Sequence, residues 1–159
     1  MNITIIAVGK LKEKYLKDAI SEYSKRIGKY AKLQIIEVPD EKVPEDISLK
    51  QEETIKRREG ESILRHMKDS SYKIALCIEG KGLSSMELAD KIENISIKGA
   101  STITFVIGGS LGLSKEVIDK CDYLLSFSKM TFPHQLMRVI LLEQVYRSFK
   151  IIKGEPYHK

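Results

Sequence analysis

Five apolar, β-branched-rich runs punctuate the chain: "ITIIAV" (3–8), "LQIIEV" (33–38), "YKIALCI" (72–78), "TITFVI" (102–107) and "YLLSF" (123–127). Several lack a clean polar–apolar alternation, as strands do when a parallel sheet buries both of their faces. Between and after them lie segments of helical character, at about 12–28, 48–68, 85–97, 114–120 and 133–152. Two of these begin in capping boxes, Ser48 with Gln51 and Ser84 with Glu87. Ser114, ahead of "KEVIDK", is placed to cap a third. The alternation predicts an α/β fold, a mostly parallel sheet with helices on both faces, built as one domain over 1–159. Ligands of such sheets bind beyond the carboxyl ends of the strands, so the loops after residues 8, 38, 78, 107 and 127 are the ones to inspect. The loop "VPDEKVPED" (38–46) reads as polar and Pro-broken.

The last segment departs from the pattern. "LMRVILLEQVYRSFKII" is apolar almost all round in its first two turns, wider than one sheet face requires. A second copy of the chain, in a homodimer, is the simplest cover; unusually deep burial is the other.

Composition narrows the class. A chain of 159 residues can bury roughly 70% of its unfolded surface, and 42% apolar with 31% charged residues is a globular balance. No apolar run approaches the ~18 residues of a membrane span, and "MNITIIAVGK" reads as a first strand rather than a signal peptide. Cys77 and Cys121, far apart and each in an apolar run, are expected as buried reduced thiols of a cytoplasmic protein. Three His and two Cys show no metal-ligand spacing, so no metal is assigned. The net charge of +5 is uneven. Residues 10–32 hold eight Lys/Arg against three Asp/Glu, and residues 129–159 hold six against two. Basic ends suggest a surface facing a polyanion; a solvated helix face explains the same count.

Three rim loops carry candidate chemistry: "EGKGLSS" (79–85), "IGGSLGLS" (107–114) and "SKMTFPHQ" (128–135). Neither Gly pattern is the dinucleotide fingerprint or a Walker loop. Together at one rim they outline a pocket of backbone N–H and C=O suited to a purine-bearing cofactor. His134 follows Pro133 at the expected start of the last helix, where the dipole disfavours an imidazolium. It is either a neutral hydrogen-bonding or base group, with Lys129 and Arg138 beside it, or a capping histidine. Tyr157 and His158 put a stacking and a titratable group on the tail "GEPYHK", for which a frayed terminus is the default.

"LCIEGKGLSS", "FVIGGSLGLS" and "SFSKMTFPHQLMRVILLEQVYRSFKIIKGEPYHK" resemble the ribosomal large subunit methyltransferase H family, of the SPOUT class of knotted methyltransferases. The resemblance runs from "ITIIAVGKLKEKY" to the final "YHK". It implies S-adenosylmethionine-dependent methylation of N3 of a pseudouridine in 23S ribosomal RNA, on the assembled 70S ribosome, by a homodimer whose carboxyl half is a trefoil knot. By position it places cofactor contacts on Leu76, Gly108, Phe127, Ser128, Lys129, Met130, Thr131 and Phe132. Lys159 stands where some relatives carry Arg.

Such a reaction needs the acceptor nitrogen held in line with the donor's methyl and relieved of its proton. His134, His158 and Tyr157 are candidates to assist that loss, with Arg138 and Lys129 to hold phosphate or developing negative charge. Positioning and electrostatics without a dedicated base are the alternative. Two other readings keep the fold: a ribosome-binding module without a cofactor, and a small-molecule enzyme using another nucleotide.

Overall fold

Each of the five apolar runs becomes a strand, and each intervening segment a helix. A computed structural model describes the whole chain, residues 1–159. In chain order the elements are β1 (Asn2–Val8), α1 (Lys14–Ile27), β2 (Lys32–Val38), α2 (Leu49–His66) and β3 (Tyr72–Gly82). They continue as α3 (Ser85–Ile97), β4 (Thr102–Ile107), α4 (Lys115–Asp119), β5 (Tyr123–Ser126) and α5 (His134–Ile152). All four ladders are parallel, in the order β2-β1-β4-β3-β5.

The sheet divides two cores. On one face Ile3, Ile5, Ile103 and Phe105 meet Ile20 and Ile27 of α1, Leu88 and Ile92 of α3, and Leu141, Leu142 and Val145 of α5. On the other, Ile6, Val8 and Val106 meet Ile63 of α2 and Val117 of α4. Burial on both faces is why β1 and β4 lack alternation. Each fully buried Ile or Leu contributes about 1.5–3 kcal/mol.

α5 packs against both α1 and α3, over the first of these faces. Much of its apolar circumference is therefore covered within the chain, while Leu136 in its first turn stays exposed. To reach that place from edge strand β5, the chain crosses back over the carboxyl rim of the sheet, past the β3–α3 connection. A trefoil knot of the SPOUT kind requires a passage of this sort.

The capping boxes at Ser48 and Ser84 and the Ser114 cap all form. Three expectations need correcting. β3 does not end at residue 78; it runs to Gly82 through an irregularity after which Lys81 and Gly82 pair with Leu125 and Ser126 of β5. Gly80 makes this possible, since a β-carbon there would stand 2.7 Å from the Leu124 carbonyl carbon and oxygen. Pro133 is the N-cap residue of α5 rather than its first helical residue. Cys77 and Cys121 are free thiols, but half-buried rather than buried.

Candidate active-site rim

The carboxyl ends of the five strands form one rim, and each supplies a different kind of group. At the end of β1, Gly9 turns with φ +91°, a conformation that L side chains rarely adopt. A β-carbon at Gly9 would lie 3.6 Å from His134 Nε2 and 3.9 Å from Asp40 Cγ, so His134 and Asp40 face the same point. His134 is half-buried. Burial first, then the positive charge of Arg138, pushes its pKa below the ordinary histidine value, Asp40 opposes this, and Lys12 adds to it. The ring is therefore neutral at pH 7.

Arg138, one turn further along α5, is buried to 1% exposure. Its Nη1 donates to Glu37 Oε2 at 2.6 Å and its Nη2 to the Gly9 carbonyl at 3.1 Å. Glu37 Oε2 also accepts the Leu11 N–H at 3.0 Å. The guanidinium thus clamps α5 to the ends of β1 and β2, and its charge is met inside the chain rather than offered to a phosphate.

After β4, Gly108 packs against Gly112 so closely that a β-carbon would stand 2.8 Å from the Gly112 carbonyl carbon. Gly112, at φ +88°, donates its N–H to the Gly109 carbonyl at 3.1 Å, closing a tight turn. The glycines here serve the turn itself as well as any ligand. Leu76 is half-buried and pairs with Ile107 of β4 and Leu125 of β5, between those two strands.

After β5, the loop braces itself: Ser126 Oγ donates to the Ser128 carbonyl at 3.0 Å, and Ser128 Oγ accepts the Met130 N–H at 2.9 Å. Phe127 packs against the main core, whereas Lys129, Met130, Thr131 and Phe132 are exposed. Leu83, Ser84, Ser85, Leu125, Ser126 and Phe127 line a cleft of about 190 Å³, closed on one side by the 2.7 Å bond from Ser85 Oγ to Gln144 Oε1. A wider, open concavity lies at the opposite edge, around Met1, Gly28 and Lys32, and shares none of these residues.

The rim helices differ from the others at their starts. α1 and α5 have no side-chain cap and no acidic residue in the first turn, and Lys12 N–H donates to Gln135 Oε1 at 3.2 Å to hold the two starts together. Lys10, Lys12 and Lys14 are exposed there, with Tyr15 68% exposed beside them.

The tail does not reach this place. It folds back on α5: Tyr157 Oη donates to Glu143 Oε1 at 3.1 Å, and Arg147 Nη1 meets His158 Nδ1 at 3.2 Å. Glu143 lies nine positions beyond His134 on the helix, a rise of about 13.5 Å. Within one chain, Leu76, Gly108 and the loop 127–132 stand at the rim with His134, while Tyr157 and His158 lie elsewhere. Sequence reasoning missed Asp40, Glu37 and Glu59. Glu59 left a signal, since it interrupts the apolar stripe Ile55–Ile63 of α2.

The fold defines an α/β protein built on an open parallel sheet, a class whose ligand crevices lie beyond the carboxyl ends of the strands. A family model described as "Predicted SPOUT methyltransferase" matches residues 1–158. "Ribosomal RNA large subunit methyltransferase H" of Clostridium botulinum (strain Okra / Type B1) is 64% identical over 159 residues, all of both chains. The protein of that name from Alkaliphilus oremlandii (strain OhILAs) is 63% identical over the same span. The structure of a probable methylase family protein from Haemophilus influenzae Rd KW20 superposes with a TM-score of 0.58 at 15% identity. That match covers 99% of this chain and 70% of the other, and shows the fold. The chain belongs to the SPOUT methyltransferases, and within them to the family of ribosomal RNA large subunit methyltransferase H. No helix is long and apolar enough to cross a membrane, and no group of three or more His, Cys, Asp or Glu is arranged to hold a metal ion.

Proposed function

We propose that this protein transfers the methyl group of S-adenosylmethionine to N3 of a pseudouridine in 23S ribosomal RNA, acting on the assembled 70S ribosome as a cytoplasmic homodimer. The observation that carries the proposal is full-length identity of 62–64% to relatives named for ribosomal RNA methylation. The rim residues suit the cofactor. Leu76 and Phe127 offer half-buried apolar surface, the tight Gly108–Gly112 turn brings peptide groups to the end of β4, and the self-braced loop 127–132 presents further ones.

When bound, the cofactor supplies a methyl group already activated on a sulfonium. This chain's own tasks are to hold the acceptor base in line and to receive its N3 proton as the new N–C bond forms. His134, kept neutral at pH 7 by burial and by Arg138, is the rim group to which that proton is assigned. Tyr157 and His158 are turned away within their own chain and join such a site only from a partner copy. Lys10, Lys12, Lys14 and Lys129 lie exposed around the rim and meet phosphates. Arg138 acts through the clamp it forms with Glu37 and Gly9.

The test is methyl transfer from labelled S-adenosylmethionine to 70S ribosomes lacking the modification, followed by nucleoside analysis. Label in N3-methylpseudouridine is expected. Cofactor binding without label in any 23S nucleoside sinks the substrate assignment, and absence of cofactor binding sinks the whole proposal.

A further inference from the structure

Glu59 occupies a place on α2 where an apolar residue is expected. Ile55, Glu59 and Ile63 follow one another at four-residue spacing, and all three are buried. The residue is 4% exposed. Its Oε2 accepts the Glu41 N–H at 2.9 Å. Both oxygens lie over Gly109 without a hydrogen bond to it: a β-carbon there would lie 3.0 Å from Oε1 and 3.3 Å from Oε2, with Val8 Cγ1 at 3.2 Å. No cation compensates it; its charged neighbours are Asp40 and Glu41, and burial chiefly, with their negative charge, pushes its carboxyl up. The next residue, Gly60, lies so near Ser114 Oγ, the cap of α4, that a β-carbon would not fit. A buried, uncompensated carboxylate is costly, and an Ala or Leu at this position would serve the core better.

What the carboxylate touches explains its presence. Gly108, Gly109 and Gly112 have no side chains with which to anchor their turn, and glycine backbone is the most permissive of all. The Gly112–Gly109 hydrogen bond closes this turn, and a brace from outside fixes how the closed turn sits against its neighbours. The Pro-broken loop after β2 needs one as well.

We propose that Glu59 is a positioning residue for cofactor binding, fixing the Gly108–Gly112 turn and the backbone at Glu41 to each other through α2. This rests on the reading of Gly108 as a cofactor contact.

The test measures affinity for S-adenosylmethionine by calorimetry, turnover on ribosomes at saturating cofactor, and thermal melting, for Glu59→Ala, Glu59→Gln and Gly109→Ala. Glu59→Ala is expected to weaken cofactor binding about tenfold or more, the scale on which a misplaced binding group acts, while turnover at saturation falls less than about threefold. Glu59→Gln keeps an oxygen for the Glu41 N–H and restores affinity to within about threefold of the parent. Gly109→Ala, which drives a methyl into Glu59, weakens binding alone but adds little in the Glu59→Ala background. If Glu59→Ala does not fold, Glu59→Asp takes its place, with the oxygens withdrawn by one methylene and the same loss expected. Unchanged affinity in a folded Glu59→Ala or Glu59→Asp overturns the inference, and so do additive losses with Gly109→Ala. A parent protein that does not bind the cofactor sinks the earlier proposal instead.

Discussion

Arg138 and Glu37, far apart in sequence, meet in a 2.6 Å ion pair that ties the start of the last helix to the second strand. The partners are unequally buried, Arg138 at 1% and Glu37 at 35% side-chain exposure. Removing either partner therefore has a different cost. Glu37→Gln leaves a guanidinium in the interior and is expected to lower stability by about 3 kcal/mol, within the range for breaking a buried pair. Arg138→Met leaves a carboxylate that water reaches, and is expected to cost less than half as much. Urea unfolding of both variants checks the order, which the reverse ranking would contradict.

The same pair sets a pH dependence. Burial pushes the Glu37 carboxyl up, but Arg138 and the Leu11 N–H outweigh it and hold the group below its ordinary value. A carboxyl lowered on folding contributes stability above its unfolded pKa and loses it as pH falls through the folded one. The parent protein should therefore lose stability relative to Glu37→Gln as pH drops below about 4.5. Melting curves in acid buffers measure the gap, which should narrow.

His134 should impose an ascending limb on the pH–rate profile, with an inflection below the usual histidine value. Lys12 is one of the charges that lower it, so Lys12→Gln should move the inflection upward. A limb that stays in place in Lys12→Gln removes Lys12 from the site's electrostatics. A His134→Ala protein with parental turnover returns the histidine to a structural role.

Gly80→Ala should destabilise the protein by about 1–3 kcal/mol, the usual cost of inserting a methyl where backbone already stands. Because the clash is with Leu124, amide exchange should accelerate first in β5 and the end of β3. Uniform acceleration across the sheet would show that the close approach is not specific to that pair.

Lys10 and Lys12 carry no ion pair and sit beside the exposed Tyr15 at the rim. Replacing both by Gln should weaken ribosome binding and make its salt dependence shallower by about two phosphate contacts, leaving cofactor affinity unchanged. Tyr15→Ala should weaken binding without changing that slope. A changed sedimentation coefficient in Tyr15→Ala would assign the ring to contact between copies instead.

Where the sequence was informative, the cause was local. Strands buried on both faces declare themselves through β-branched runs, and Ser48, Ser84 and Ser114 cap helices with groups three residues away. What stayed illegible depends on distant partners. "EGKG" reads as a turn by composition, and only β5 lying against Gly80 makes it strand. Arg138 reads as a free cation until Glu37 is brought to it across 101 residues. The tail reads as frayed because its partners, Glu143, Arg147 and Tyr30, lie on helical or distant chain that periodicity cannot aim at it.

That folded tail has an optical consequence. The chain contains no Trp, and of its seven Tyr, four gather where the tail docks: Tyr157 stands edge-on to Tyr146 at 4.9 Å, and Tyr23 and Tyr30 flank the same ring at 6.5 and 6.2 Å. Near-ultraviolet circular dichroism of this protein should thus be dominated by one coupled phenol cluster, and undocking of the last residues would register in that signal without any label.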